Sequence, residues 1–340
     1  MFFFHADLAF TPTERFPRCH CSTIVECPNG DLLVALYAGS DEARPDVAIV
    51  SVRKPAGADT WDPPVVIADT PQKPEGNPVL FVDPSGKLWL FYGTMHGRLR
   101  GPEGPGTGWA SVDQKYKTST DNGYTWSEDV MLREEWGLVF RNKPIILANG
   151  DWILGVEDAL ESRSRFLITP DSGQSWFYTD PVPGVLHSHP TLIQRSDGSL
   201  LALLRPLTQQ DNPPPGALPR IGRTQSFDNG RTWTEAVYTD LPNHGAAFDM
   251  VKLQDGRVVL VWNNSETDRS RLTLALSEDE GDTWPVMRDL EVPPGSYEYP
   301  AIIQDSAGLL HVTYSVGPRL WVRDRIKHVT LSPDWISQAP

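Results

Sequence analysis

Several residues whose side chains could take part in catalysis or ligand binding recur at a similar distance before six turn glycines. Histidine exchanges protons near neutral pH. A tyrosine hydroxyl can act as a nucleophile when a base assists it. A position that served packing alone would be apolar, so this mostly polar set indicates a functional surface. Its members are His20, Asn77, Asn142 with Lys143, His189, the segment 247–249, and Tyr299.

A second polar set follows the same glycines, near the ends of the next predicted strands. It offers carboxylates for proton transfer, an arginine for anion binding, and amides and hydroxyls for hydrogen bonds. Its members are Asp41 with Glu42, Tyr92, Glu157, Arg205, Asn263 with Asn264, and Tyr314.

A short sequence motif, in which a turn residue and Gly precede an apolar strand, occurs six times and would position both sets. Asn-Gly and Asp-Gly supply the positive φ that a tight hairpin requires. The turn glycines are Gly30, Gly86, Gly150, Gly198, Gly256 and Gly308. The predicted strands before them are 22–26, 79–83, 144–147, 191–194, 251–254 and 301–304. Each hairpin starts and ends on the face opposite its glycine, so the two polar sets should meet at one mouth.

The turn glycines lie 48 to 64 residues apart, and each interval contains β-type signals with no long helical period. Repeats of this length are typical of propeller blades. We therefore predict an all-β fold, a six-bladed β-propeller with four-stranded antiparallel blades, as a single domain over residues 1–340. The N-terminal segment is expected to complete the last blade and close the ring, which removes free sheet edges.

A second motif, [ST]-x-D-x-G-x-[ST]-W, occurs four times, at residues 119–126, 169–176, 226–233 and 277–284. Its Asp can accept backbone N–H bonds across a turn, its Gly supplies positive φ, and its Trp can pack against a neighbouring strand. Because the motif repeats from blade to blade, it predicts Asp-box turns that hold the fold rather than catalytic aspartates.

These four copies resemble the Asp box of the sialidase (neuraminidase) superfamily, also called the bacterial neuraminidase repeat (BNR), and the resemblance covers nearly the whole chain. It implies the six-bladed propeller and an exo-acting, sialidase-like glycoside hydrolase for an acidic, carboxylate-bearing sugar. Asp boxes also occur in propellers without this activity, so the fold alone does not fix the reaction.

The resemblance also implies roles for particular residues. Tyr299, in Glu298-Tyr299-Pro300, matches the family's tyrosine nucleophile. Arg205 and Arg269 match two of its three carboxylate-binding arginines, with Arg271 as the alternative to Arg269. Glu42 best matches the acid/base residue, with Asp41 and Asp46 nearby.

Two positions depart from the family pattern. His20 stands where the family has its first arginine, and His189 stands where it has the glutamate that activates the tyrosine. We expect His20 and His189 to join Tyr299 and Glu42 as catalytic residues, with His189 as the base. The substrate-binding residues are expected to be Arg205, Arg269, Asn77, Lys143, Glu157, Asn263 and Tyr314.

Two other functions remain open. The histidines and Tyr299 also suit a polysaccharide lyase that cleaves a uronic-acid glycan by β-elimination, because arginines would neutralise the carboxylate while another group removes the α-proton. A non-catalytic carbohydrate-binding propeller is the third possibility. The Pro-rich segment 209–215 is a candidate rim over Arg205.

The charge composition limits which classes of molecule the protein is expected to bind. Lys and Arg number 30 against 44 for Asp and Glu, a net charge of −14. Such a chain is a poor partner for nucleic acid or an anionic membrane, and an anionic ligand needs a local basic pocket. The expected partner is therefore an acidic oligosaccharide or glycoside, and the oligomeric state is open. No apolar run approaches the ~18 residues of a membrane span and no secretory signal is evident, so a cytoplasmic location is predicted.

Three cysteines, Cys19, Cys21 and Cys27, lie near the N-terminus. An odd number does not suit a disulfide framework. Neighbouring residues of a strand point to opposite faces, so Cys19, His20 and Cys21 cannot all bind one ion. Neither a metal nor a cofactor is predicted.

Overall fold

The computed structural model describes residues 2–96, 108–133, 136–208, 215–319 and 322–338. Residues 209–214 of the predicted rim segment lie outside the described residues. Two short 3₁₀ helices span Gly108–Ser111 and Pro333–Trp335. The strands are β1 Phe4–Phe10, β2 Arg18–Glu26, β3 Leu32–Gly39, β4 Ala48–Lys54, β5 Val65–Ala68, β6 Glu75–Val82, β7 Leu88–Met95, β8 Val112–Ser119, β9 Val130–Arg133, β10 Leu138–Phe140, β11 Ile145–Ile146, β12 Trp152–Asp158, β13 Arg163–Thr169, β14 Phe177–Tyr178, β15 His187–Gln194, β16 Leu200–Pro206, β17 Arg220–Ser226, β18 Val237–Pro242, β19 Asp249–Lys252, β20 Val258–Trp262, β21 Leu272–Ser277, β22 Val286–Glu291, β23 Ser296–Gln304, β24 Leu310–Gly317 and β25 Arg325–Leu331.

These strands form six antiparallel sheets, and each sheet is one blade. The first two blades are β2–β5 and β6–β9, and the last three are β15–β18, β19–β22, and β23–β25 with β1. In the third blade, β12–β14 continue a split innermost strand made of β10 and β11. The predicted six-bladed β-propeller with four-stranded antiparallel blades is thereby confirmed.

The ring closes through β1, which pairs antiparallel with β25 of the sixth blade in the predicted manner. Asp7 on β1 strengthens this closure from two sides. Its carboxylate accepts a hydrogen bond from Lys54 at 2.8 Å and contacts His328 Nδ1 at 2.9 Å. Lys54 belongs to the first blade and His328 to the sixth, so one carboxylate joins the two blades that meet at the seam.

The core lies between the blades, where apolar side chains of adjacent sheets pack face to face. The Asp boxes contribute to this packing. In the fourth blade, Asp228 accepts the backbone N–H of Thr232 at 2.9 Å and its hydroxyl at 2.6 Å. Trp233 then stacks on Phe166 of the third blade at 3.9 Å between ring centroids. The motif therefore joins neighbouring blades, which supports its structural interpretation.

The described residues contain no helix long and apolar enough to cross a membrane. All three cysteines are buried and free. Over the same residues, no three His, Cys, Asp or Glu side chains are grouped so as to hold a metal ion.

Candidate functional site

Backbone bulges at the start of four innermost strands turn site residues toward the propeller axis. The register shifts between His20 and Thr23 in β2, Gly76 and Val79 in β6, Ser188 and Thr191 in β15, and Glu298 and Ala301 in β23. One residue in each bulge has a positive φ: Cys21 (55°), Asn77 (46°), His189 (42°) and Tyr299 (53°). A bulge re-aims a side chain out of the sheet alternation. Non-glycine residues adopt this conformation at a cost that functional sites often carry.

A cavity of about 260 Å³ opens at this mouth. It is slightly smaller than the ~300–1,000 Å³ of typical ligand pockets. Six of the predicted site residues line it together with apolar side chains. The lining residues are Glu42, Asn77, Trp109, Val139, Glu157, Ser188, His189, Arg205, Pro206, Leu207 and Tyr299.

Tyr299 is surrounded by guanidinium groups. Those of Arg141, Arg269 and Arg205 lie 5.2, 5.5 and 5.8 Å from the centroid of its ring. Arg205 Nη1 also donates a hydrogen bond to the Tyr299 hydroxyl at 3.2 Å. Positive charge placed this way stabilises negative charge that develops on the phenol oxygen during a reaction.

His189 links this tyrosine to a carboxylate. Its Nε2 lies 2.7 Å from Glu157 Oε2, and its Nδ1 lies 2.9 Å from Arg205 Nη1. Burial lowers the pKa of His189, and the Arg205 charge adds to this, although Glu157 opposes both. Burial acts to raise the pKa of Glu157, but its interaction with the His189 ring, the hydrogen bond included, and the charge of Arg205 bring it below its ordinary value. A neutral imidazole beside an ionised carboxylate follows.

Glu42 on the other side of the cavity belongs to a chain of charged groups. It accepts a hydrogen bond from Arg323 Nη1 at 3.0 Å. Arg323 Nε lies 3.2 Å from Glu298 Oε2, and the same carboxylate oxygen accepts from Arg269 at 2.5 Å. Glu298 is fully buried, so it fixes two arginines behind the cavity wall.

His20 is buried beside the tyrosine and does not line the cavity. Its ring meets that of Tyr299 edge-on at 4.3 Å, and its Nδ1 is 3.0 Å from the Ser315 hydroxyl. Burial and the charges of nearby arginines, Arg323 first among them, hold the pKa of His20 well below its ordinary value. His20 is therefore a neutral group at physiological pH.

The charged side chains that the structure describes around Tyr299 give the site a net positive charge, although the whole chain has a net charge of −14. Four guanidiniums accompany three carboxyl groups here, and both histidines are neutral, so the site is positive whether or not Glu42 carries a proton. The guanidiniums belong to Arg141, Arg205, Arg269 and Arg323, and the carboxyl groups to Glu42, Glu157 and Glu298. This is the local basic pocket that an anionic ligand needs.

The model of the BNR repeat-like domain family matches residues 30–312. The chain belongs to this family. Its fold and its repeats make it a BNR propeller of the sialidase superfamily, as the Asp boxes predicted. It is similar to a sialidase from Micromonospora viridifaciens, with 27% identity over 92% of this chain and 52% of the relative. The chain thus spans about half the length of that curated relative.

Two solved structures show the same fold. The intramolecular trans-sialidase from Ruminococcus gnavus, in complex with oseltamivir carboxylate, matches with a TM-score of 0.79 at 14% identity, over 98% of each chain. An α-L-arabinanase from Penicillium chrysogenum, complexed with arabinobiose, matches with a TM-score of 0.67 at 16% identity, over 97% of this chain and 98% of that one. The same fold is therefore shared by a trans-sialidase and an arabinanase.

Five predicted site residues of this BNR propeller do not line the cavity: His20, Arg269, Tyr314, Asn263 and Lys143. Tyr314 is buried in the core and donates its hydroxyl to Glu291 at 2.6 Å, so the expected substrate contact is wrong. It lies six residues after its turn glycine, whereas Glu157 and Arg205 lie seven after theirs. Because alternate strand residues point to opposite faces, one residue of offset turns the side chain away.

Asn263 and Lys143 support the site through their neighbours. Asn263 is fully buried, and its Nδ2 donates to the backbone carbonyls of Arg269, Arg271 and Tyr297. It therefore fixes the loop that carries Arg269 and does not face a substrate. Lys143 donates to Asp249 at 2.7 Å and to the Met250 carbonyl at 3.0 Å. Arg269 is itself buried at 2% exposure and paired with Glu298, so it acts from behind the wall.

The sequence interpretation missed Arg141, Glu298 and Arg323. The spacing in the sequence could have identified Arg141, because it lies nine residues before Gly150. Asn77, His189 and Tyr299 also lie nine residues before their own turn glycines. The prediction had placed Asn142 and Lys143 at this position. Arg141 donates to the Pro300 carbonyl at 2.8 Å, directly beneath the tyrosine.

Proposed function

We propose that this propeller is an exo-acting glycoside hydrolase of sialidase type that removes a terminal, carboxylate-bearing sugar, with Tyr299 as the nucleophile. The observation that carries the proposal is the position of Tyr299, whose hydroxyl accepts a hydrogen bond from Arg205 among three guanidiniums while Glu42 lines the same cavity. The 27% identity to a sialidase supports the reaction class.

Arg205 is the cation best placed to bind the carboxylate of the sugar. Its Nε donates to the Gly245 carbonyl at 2.6 Å, and its Nη1 contacts His189 and Tyr299. Nη2 has no hydrogen-bond partner among the described residues, and Arg205 lines the cavity. A guanidinium held at one edge and open at the other binds a planar carboxylate with good geometry.

The proposed chemistry balances in two steps. Tyr299 Oη bonds to the anomeric carbon, the glycosidic C–O bond breaks, and protonated Glu42 gives its proton to the leaving oxygen. The tyrosine proton passes to His189 Nδ1, which becomes free when the sugar carboxylate engages Arg205. Water then attacks the anomeric carbon with Glu42 as base, the bond to Tyr299 breaks, and the phenol regains its proton from His189.

The test is release of a fluorogenic leaving group from acidic glycosides, an α-sialoside and a β-glucuronide, by wild type and Tyr299→Phe. We expect release from at least one acidic glycoside, with kcat at least about 10²-fold lower in the variant because the nucleophile is gone. A neutral arabinoside is the matched control for the carboxylate. Cleavage of the arabinoside alone would contradict an acidic substrate, and full activity of Tyr299→Phe would contradict the nucleophile.

Uronate β-elimination is the second candidate, and one observation favours it. The described neighbours of the Tyr299 hydroxyl include no carboxylate in hydrogen-bond contact; Arg205 makes the contact instead. Elimination requires a base close to the substrate carboxylate, whose charge an arginine neutralises. His20 or His189 would be that base. Ultraviolet absorbance of a conjugated unsaturated uronate, measured with glucuronate-containing oligosaccharides, would identify this reaction. Saturable binding of the same oligosaccharides without either product would identify a carbohydrate-binding propeller.

A further inference from the structure

We propose that Glu157 is a positioning residue that fixes His189 in the neutral Nε2–H tautomer and so presents the Nδ1 lone pair to Arg205 and Tyr299. The catalytic consequence rests on the proposed function, whereas the tautomer itself does not. The proposal replaces the expected role of Glu157 as a substrate ligand.

The donor and acceptor inventory allows one protonation state of His189. An arginine side chain only donates hydrogen bonds, so the ring nitrogen 2.9 Å from Arg205 Nη1 must accept. An ionised carboxylate only accepts, so the nitrogen 2.7 Å from Glu157 must carry a proton. A proton on Nδ1 would set two donors against each other. The three residues therefore satisfy one another only when the imidazole is neutral and protonated at Nε2.

The backbone explains why His189 needs this tether. His189 has a φ of 42° in the β15 bulge and precedes Pro190. Glu157 lies on β12 of the preceding blade, where it pairs with Val139 and Ser164. It reaches the ring from a rigid strand rather than from a loop. A partner of this kind fixes both the orientation and the tautomer of a histidine.

The surroundings of Glu157 do not suit a ligand for an acidic sugar. Its side chain is 19% exposed, and one carboxylate oxygen already contacts His189. Its negative charge would repel a substrate carboxylate bound at Arg205. A role of Glu157 that is exerted through His189 is consistent with both its contact and its charge.

Kinetics of Glu157→Gln separate the two roles. The amide keeps the size of the side chain but lacks the charge that orders the ring. We expect kcat to fall about tenfold, at the low end of losses for residues that orient a group in contact with the substrate, with KM changed less than about twofold. A rise in KM with kcat unchanged would show a substrate ligand and overturn the proposal. Glu161→Gln, an exposed carboxylate in the same blade, is the matched control and should leave both constants unchanged.

A double-variant test checks that Glu157 acts through His189. Glu157→Gln should cost no further activity in a His189→Ala background, because the group it positions is absent. Additive losses in kcat would overturn the proposal.

Histidine ¹⁵N spectra provide a readout that needs no activity. The His189 signal, assigned from its loss in His189→Gln, should show a protonated Nε2 and an unprotonated Nδ1 at neutral pH. Glu157→Gln should populate the other tautomer and move protonation of the ring to lower pH, because a negative charge that favours imidazolium is lost. A wild-type Nδ1–H tautomer, or spectra unchanged by Glu157→Gln, would overturn the proposal. If no acidic glycoside is cleaved, the proposed function fails while these spectra still decide the tautomer.

Discussion

At the scale of a single residue, the proposed acid/base role of Glu42 can be tested directly. Its carboxylate accepts from Arg323 and is 30% exposed at the cavity edge. We expect Glu42→Gln to lower kcat by about 10²–10⁴-fold for glycosides with alkoxide leaving groups, since their oxygen needs a proton. Fluorogenic phenols leave without this help, so their release should fall much less. The ratio of the two rates for wild type and variant is the measurement.

Asp41 provides the control for this prediction. It is exposed, and its Oδ1 accepts the backbone N–H of Glu42 at 3.0 Å. Asp41→Asn keeps that hydrogen bond and should leave the ratio of the two rates unchanged. A leaving-group dependence that appears in Asp41→Asn instead would assign the acid to Asp41.

The sequence predicted which residues meet at the cavity but not the ion pairs that hold them. Tyr299, His189 and Arg205 had fixed distances to turn glycines, so their meeting could be predicted from the repeat. The pairs Glu298–Arg269 and Arg323–Glu42 join segments up to 281 residues apart. No spacing rule connects such segments, because the contacts arise only when separate blades pack together, and the pair Arg323–Glu42 forms only when the ring closes.

At the scale of the strand, the bulges determine which side chains reach the cavity. Asn77 has a φ of 46° in the β6 bulge and lines the cavity. Asn77→Gly removes the side chain and the conformational strain together. We expect unchanged or higher thermal stability with a raised KM, because glycine adopts positive φ freely. Asn77→Val should instead lose about 1–3 kcal/mol of unfolding free energy, since a branched side chain is strained there. Thermal unfolding and steady-state kinetics of both variants test this.

The two variants remove the same amide, so a comparison isolates the backbone. Equal loss of stability in both would mean that the Asn77 side chain, not its φ, holds the strand. The sequence predicted the strand itself but not the bulge. The signal was nevertheless present in three strands, where the bulged residue precedes proline: Asn77-Pro78, His189-Pro190 and Tyr299-Pro300.

At the scale of the whole molecule, repetition made the fold predictable. Six hairpin turns and four Asp boxes are local signals, and each specifies a blade without reference to distant segments. Closure by β1 followed from the need to cover the last edge. The arrangement concentrates histidines in the interior, and six of them are buried: His20, His187, His189, His244, His311 and His328. Burial lowers the pKa of His20, His187, His189, His244 and His328, that of His187 to about 3 and that of His244 to about 4.

These five histidines predict that the propeller loses stability in mild acid. In the unfolded chain their pKa is about 6.5, so below that pH the unfolded state binds protons that the folded state does not. The free energy of unfolding therefore falls as pH drops from about 6.5 toward the lowered values, by as much as about 1.4 kcal/mol per pH unit for each histidine. We expect urea unfolding at pH 5.5 to show a free energy at least about 3 kcal/mol below that at pH 7.5. His187→Gln should reduce this difference, whereas His5→Gln, at an exposed position, should leave it unchanged. Equal stability at the two pH values would mean that the folded chain admits protons to these sites, contrary to the neutral imidazoles on which the site geometry depends.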